Sequence, residues 1–105
     1  MLVETQPFGL PENVMHSLGK VLESTPEVEE AIIFGSRAKG NYHPGSDIDL
    51  TIKGPAVSLN TILTLMSKTE DLGLLYKIDF QTYSTIADEA MLNHIDRVGK
   101  LFWKR

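Results

Sequence analysis

Three aspartates and one glycine–serine turn carry the chemistry legible in this chain. The segment FGSRAKGNYHPGSDIDLTIKG, residues 34–54, holds Gly35 and Ser36 ahead of Asp47 and Asp49. Residues two apart on a strand point to one side, so Asp47 and Asp49 share a face if DIDLTIK is extended. Like charges that close raise one another's pKa unless a cation neutralises them, and hard carboxylate oxygens suit Mg²⁺ or Mn²⁺. An isolated D-x-D pair is better explained as the solvent face of a half-covered strand. Asp79 changes that balance. It sits mid-strand in LLYKIDFQTY, on the side opposite Tyr76, Ile78 and Phe80. If this strand lies beside DIDLTIK, the three carboxylates converge. Such a set can hold a pair of divalent ions that clamp the attacking and leaving oxygens of an in-line phosphoryl displacement.

The turn supplies the other half of the chemistry. A glycine ending a strand lets the backbone approach a ligand closely. If SRAK forms a helical turn, its free N–H groups favour an anion, and the Ser36 hydroxyl adds a donor. Arg37 and Lys39 could neutralise a polyphosphate, Arg37 through a forked contact. The competing account is an ordinary turn with solvated charges, which GSRAKG alone would favour. It is not a Walker P-loop, because no Gly-Lys-Ser/Thr follows at the required spacing.

The elements that must position these residues follow from periodicity. Pro11 suits a first helical position, and Val14, Leu18, Val21 and Leu22 recur at helical spacing up to about Ser24, before Pro26. VEEAIIFG reads as a strand with a sharp exit at Gly35. GNYHPGS is a loop, and DIDLTIK alternates, with Ile48, Leu50 and Ile52 opposite the aspartates. Ser58 can cap a helix that turns Leu59, Ile62, Leu63 and Met66 to the core and stops near Gly73. After the third strand, Thr85 and Asp88 have capping-box spacing. They precede a last helix with Met91, Ile95, Val98 and Phe102 along one stripe. The order predicts an α/β domain with a small sheet of at least three strands.

The whole chain has 105 residues and 42% hydrophobic content, enough for one compact domain over 1–105, with residues 1–10 as a lead-in. A net charge of −4 argues against broad, non-specific nucleic-acid binding. The absence of cysteine excludes disulfides and thiolate metal sites. No apolar run has membrane-spanning length and the first residues lack a secretory pattern, so cytoplasmic residence is the default expectation.

The joint pattern G-S-x-A-x-G (GSRAKG), then D-x-D (SDIDL), then an aspartate inside a later apolar strand (YKIDFQTY), resembles the nucleotidyltransferases related to DNA polymerase beta. The resemblance runs over residues 28–83, and the short chain looks like the minimal nucleotidyltransferases. It implies a small mixed sheet of palm-like fold. It implies that Gly35 and Ser36 bind the phosphates of a nucleoside triphosphate, with Arg37 beside them. Asp47 and Asp49 would ligate two Mg²⁺ ions, with Mn²⁺ as the alternative. Asp79 would complete the site and help activate an acceptor hydroxyl. The implied reaction transfers a nucleoside monophosphate and releases pyrophosphate. Minimal members resemble one half of two-protein systems whose other half is a helical HEPN-type protein, so a hetero-oligomer is expected. In toxin–antitoxin pairs of this kind the transferase can act as antitoxin by modifying a tyrosine of its partner.

Other residues are weaker. His16, His43 and His94 are scattered without ligand spacing, and His43 reads as a solvated loop residue. Tyr42 could stack on a base or cover its own turn. Lys77 could meet a phosphate, or simply pair at the surface. The basic RVGKLFWKR tail reads as a helix end with cations suited to its dipole. Trp103 is expected to point away from the core, toward a protein interface. Two readings compete with an active transferase: a non-catalytic nucleotide-binding antitoxin or interaction module, and a nuclease or phosphatase using the same metals with water.

Overall fold

A computed structural model describes residues 7–105. Its strands are β1 (Glu30–Phe34), β2 (Ile48–Lys53), β3 (Ile78–Thr82) and β4 (Lys100–Lys104). They form one sheet in the order β3-β2-β1-β4. β1 is antiparallel to both β2 and β4, whereas β2 and β3 run parallel. A parallel pair needs a crossover, and helix α3 (Leu59–Asp71) provides it. The remaining helices are α1 (Glu12–Glu23), the single turn α2 (Ser36–Lys39) and α4 (Glu89–Val98).

One face of the sheet is the core. Ile48, Leu50 and Ile52 of β2 cluster with Ala31 and Ile33 of β1, Val14, Leu18, Val21 and Leu22 of α1, and Ile62 and Leu65 of α3. Ile48, Leu50 and Ile52 are each 0% exposed, and burying such a side chain stabilises the fold by roughly 2 kcal/mol. The opposite face is covered only in part. There α4 crosses β1, with Ile95 buried beneath it. The carbonyls that close α1 are held by cations from two other elements. Lys68 Nζ donates to Ser24 O at 3.0 Å, and the Arg105 guanidinium donates to Leu22 O, Glu23 O and Thr25 O.

Several expectations shift. Pro11 is the N-cap of α1, one residue before the first helical position. Ser58 caps α3 as expected, in a capping box completed by Thr61. The buried stripe of α3 is Thr61, Ile62, Leu65 and Thr69, whereas Leu59, Leu63 and Met66 are 72%, 51% and 48% exposed. The sequence carries two apolar stripes there. The helix rotation that lets Lys68 reach the end of α1 selects the stripe through Leu65. Asp88, not Thr85, caps α4 by accepting from Ala90 N. The last helix ends at Val98, and the chain after Gly99 becomes β4, because β1 still had an unpaired edge to satisfy. Phe102 therefore lies on a strand, and Trp103 is half-buried against the core with Arg105 stacked on its ring. Of the expected lead-in, residues 1–6 lie outside the described residues. Residues 7–10 are structured: they form a turn ending in Leu10, which is 0% exposed.

Candidate active site

The parallel register places Asp49 of β2 directly beside Asp79 of β3. Neighbouring strands lie about 4.8 Å apart and opposed residues share a face, so the two carboxylates project side by side. Asp47, exposed and just ahead of β2, falls on the same face by alternation. The crowding is felt at Asp49. Its carboxyl is raised above the ordinary aspartate range, first by burial, then by the charges of Asp79 and Asp47, while Lys77 pulls it back. Among the described residues no three His, Asp or Glu side chains are already closed around one point. The acids are thus neighbours on one face, not a finished metal cage. As a donor set they fit a hard divalent cation: all are carboxylates, and a cation between them would remove the repulsion that burdens Asp49.

The turn lies against this acidic face. β1 pairs Phe34 with Asp49, and the next residue, Gly35, takes φ 73° and ψ −157°. That backbone region is essentially restricted to glycine. A Cβ on Gly35 would also overlap the Asp49 Oδ2 atom. Glycine is required twice over, by conformation and by the carboxylate packed on its Cα. Ser36 then opens α2, and Gly40 closes it in a left-handed conformation with φ 90°. The opening N–H groups of a helix have no acceptor within it, which leaves the amides of α2 from Ser36 onward available beside the carboxylates.

Arg37 does not serve the expected phosphate contact. Its side chain is only 2% exposed. Its Nε and Nη2 donate to Ser46 O at 3.1 and 3.0 Å, Nη2 also to Pro44 O at 3.3 Å, and Nη1 to Phe8 O at 2.9 Å. The rings of Tyr42 and Tyr76 each lie 5.2 Å from the guanidinium carbon. A buried cation is tolerated only when its donors are satisfied. Here carbonyl oxygens satisfy them, and the cation ties the 41–46 loop and the Phe8 segment to α2. Tyr42 accordingly covers its own loop. Lys39 remains exposed on α2, and Lys77 on the approach to β3.

The residue missed by spacing is His94. Gly35 N donates to His94 Nε2 at 3.2 Å, and the imidazole meets the Phe34 ring edge-on at 6.1 Å between centroids. As an acceptor at Nε2, the neutral ring carries its proton on Nδ1. The partners are 59 residues apart in the chain, so no motif could link them. The only available signal was the position of His94 next to Ile95 on the packed side of α4. Thr51, two residues beyond Asp49, is also on this face. It is 0% exposed, and its Oγ1 finds no hydrogen-bond partner.

A family model described as polymerase beta, nucleotidyltransferase, matches residues 16–105. A search of curated proteins gave no match. Among solved structures, a toxin–antitoxin complex with AMP-PNP superposes with a TM-score of 0.69 at 22% identity, covering 87% of this chain and 73% of the other. A variant of the toxin–antitoxin MntA-HpeT, with two aspartates changed to glutamate, gives 0.67 at 20% identity over 91% and 75%. A chain of the complex between a tri-AMPylated HEPN toxin from Shewanella oneidensis and its MNT antitoxin gives 0.61 at 17% identity over 87% and 70%. These likenesses establish a shared fold: a mixed sheet with the same helical flanks.

Proposed function

Because the chain belongs to the polymerase beta nucleotidyltransferase family, we propose that it moves a nucleoside monophosphate from a nucleoside triphosphate to a hydroxyl of a helical, HEPN-type protein partner, acting as the antitoxin of the pair. The observation that carries this reading is the Asp49–Asp79 register with Gly35 packed on Asp49. It sets the acids that would hold cations beside the amides that would hold phosphates. Solved structures of the same fold are described as complexes with AMP-PNP and with an AMPylated HEPN toxin, which supports both the donor and the acceptor class.

In this reading Gly35, lacking a side chain and held by His94, lets the triphosphate approach the backbone, and the Ser36 amide and hydroxyl orient it. Asp47, Asp49 and Asp79 would hold divalent cations, most simply two Mg²⁺ ions, with Mn²⁺ able to substitute. Bound there, such ions would supply positive charge against the triphosphate and the leaving oxygen. Asp79 faces outward from an edge strand and accepts the proton of the acceptor hydroxyl. The acceptor oxygen then bonds to the α-phosphorus, the bond between the α-phosphorus and the bridging oxygen to the β-phosphate breaks, and pyrophosphate leaves. Among the described residues no helix is long and apolar enough to cross a membrane, and we place the protein in the cytoplasm, where its nucleotides are. The test is direct. The purified protein and its co-purifying partner are incubated with Mg²⁺ and each labelled nucleoside triphosphate, and mass spectrometry locates the modified residue. A mass gain of one nucleoside monophosphate on the partner is expected. Labelling of no acceptor with any nucleotide, with or without partner, overturns the reading. Tight partner inhibition that survives loss of the aspartates would favour the non-catalytic alternative.

A further inference from the structure

Lys77 has two readings in the sequence, a phosphate contact or a surface pair, and the fold separates them. Ile48 N donates to Lys77 O at 2.9 Å, which ties Lys77 to the start of the parallel ladder. The register that pairs Ile48 with Ile78 sets it beside Asp47. Residues two apart on a strand share a face, so Lys77 stands on the side of Asp79, about 7 Å ahead of it. Its charge is felt at Asp49, where it works against the rise caused by burial and by the neighbouring acids. Other cations near the sheet are engaged. Arg37 is spent on buried carbonyl oxygens, and Lys68 and Arg105 hold the end of α1. Lys53, further along β2, lies 4.4 Å from the centre of the Tyr83 ring. Lys77 is exposed, and among the described residues its ammonium group enters no hydrogen bond, ion pair or ring contact. The surface pair is not formed, although acids stand beside it.

We propose that Lys77 is a further catalytic residue, whose ammonium group binds a non-bridging oxygen of the α-phosphate and stabilises the charge that gathers there as the acceptor oxygen attacks. The inference rests on the proposed function and adds to it the group that meets the reacting phosphate. Two placements choose the α-phosphate. The sheet order sets β2 between β1 and β3, so the turn at Gly35 and Ser36 lies about 10 Å from the strand of Lys77 and takes the far end of the triphosphate. The phosphate under attack must lie next to Asp79, which receives the hydroxyl proton, and Lys77 is the neighbour of Asp79 on that face. Lys39, also exposed, stands on α2 across β2, on the side of the turn. Lys77 keeps its proton throughout. The proton of the acceptor goes to Asp79, and the electron pair of the broken bond leaves with pyrophosphate. A compact charge on a flexible four-carbon stem can follow the phosphorus as it moves toward the acceptor. A positioned charge of this kind acts where charge develops in the transition state.

The experiment compares the wild-type chain with Lys77→Met, Lys77→Arg and a control of equal charge change, Lys104→Met on β4, whose side chain is exposed. Each is assayed with the co-purifying partner, Mg²⁺ and the labelled nucleotide that the wild type uses. Thermal melting and binding of AMP-PNP with Mg²⁺ check the fold and the site separately. Lys77→Met should lower kcat about a hundredfold and leave the affinity for AMP-PNP within about threefold of wild type. Lys77→Arg keeps the charge and should recover most of the rate, and Lys104→Met should match the wild type. The two α-thio diastereomers of the nucleotide add a readout that a packing role would not move: the preference of the wild type between them should narrow in Lys77→Met. Unchanged kcat in Lys77→Met, an equal loss in Lys104→Met, or a loss seen only as weaker AMP-PNP binding overturns the assignment and leaves the transfer reading standing. So does a loss that excess Mg²⁺ restores, because Lys77 would then only ease the repulsion among the acids. If the wild-type chain labels no protein at all, the transfer reading itself fails and this inference fails with it.

Discussion

On one face of β2, Ile48, Leu50 and Ile52 are each fully shielded and packed between α1 and α3; on the other, Asp47, Asp49 and Thr51 alternate with them along the same few residues of backbone. The apolar face has no conflict: every group on it gains from burial. The other face gathers conflicts. It holds a half-buried carboxylate with raised proton affinity, two like charges beside it, a glycine in a conformation other residues avoid, and a buried hydroxyl with no partner. Evolution rarely leaves such conflicts where only stability is at stake. The contrast is therefore a stronger ground for proposing the site on this face than any single residue is.

The contrast breaks most severely at Asp49. Replacement by Asn keeps the shape and removes one candidate cation ligand, so transfer should fall by about a thousandfold, equivalent to about 4 kcal/mol of lost transition-state stabilisation. The fold should survive and gain stability without divalent ions, because burial and the charges of Asp79 and Asp47 oppose ionisation there. The folded chain keeps a proton on Asp49 at pH values where the unfolded chain has released it. Wild-type stability relative to Asp49→Asn must therefore fall as pH rises from about 4 through the raised value. Melting curves in EDTA between pH 4.5 and 7.5 check this, and Mg²⁺ should raise the wild-type Tm more than that of the variant. Parallel pH dependence of the two proteins would show that Asp49 carries no such strain.

Arg37 sharpens the comparison from outside the sheet, since it is a buried charge that serves structure. Arg37→Met should cost about 3 kcal/mol of stability, because the carbonyls of Phe8, Pro44 and Ser46 lose their donors together. Denaturant unfolding measures it. At a temperature where the variant stays folded, its affinity for AMP-PNP with Mg²⁺ should remain within about threefold of wild type. A selective loss of nucleotide affinity at unchanged stability would restore the phosphate role.

These two residues also show what was legible in the chain. Periodicity exposed the β2 alternation and the side of Asp79, because a period of two is a local property. The register that aligns Asp49 with Asp79 depends on a parallel crossover through α3, and only the folded chain shows it. Arg37 looked like a ligand for phosphate because a short motif reports residue type and not what a nearby loop will do with it. The stripe on α3 was ambiguous for the same reason: two apolar rows existed, and contacts to α1 chose between them. His94 had no sequence signal, since its partner is the amide of Gly35, and an amide is present at every position but proline.

His94 yields a smaller effect. His94→Phe keeps a ring against Phe34 and removes the acceptor for Gly35 N, while His94→Gln offers a carbonyl acceptor in place of Nε2. Loss of one such bond is worth about 1 to 1.5 kcal/mol, so the Phe variant should bind AMP-PNP with Mg²⁺ roughly tenfold more weakly. The Gln variant should recover most of that affinity. Equal loss in both would mean that ring packing, not the hydrogen bond, holds the turn.

The smallest effect belongs to Thr51. Its hydroxyl is buried among the side chains of the acidic face without a partner, and a hydroxyl taken from water without replacement of its hydrogen bonds is a net cost. Val has the same shape and no such group. Thr51→Val should therefore be neutral or stabilising by up to about 1 kcal/mol, which is the reverse of what a polar-to-apolar change does where the hydroxyl is bonded. The same change at Thr69, whose Oγ1 donates to Leu65 O and Met66 O, gives the internal control and should destabilise. If Thr51→Val instead weakens AMP-PNP binding while raising the Tm, the hydroxyl is held in reserve for the nucleotide, and the acidic face extends one position further along β2 than its carboxylates indicate.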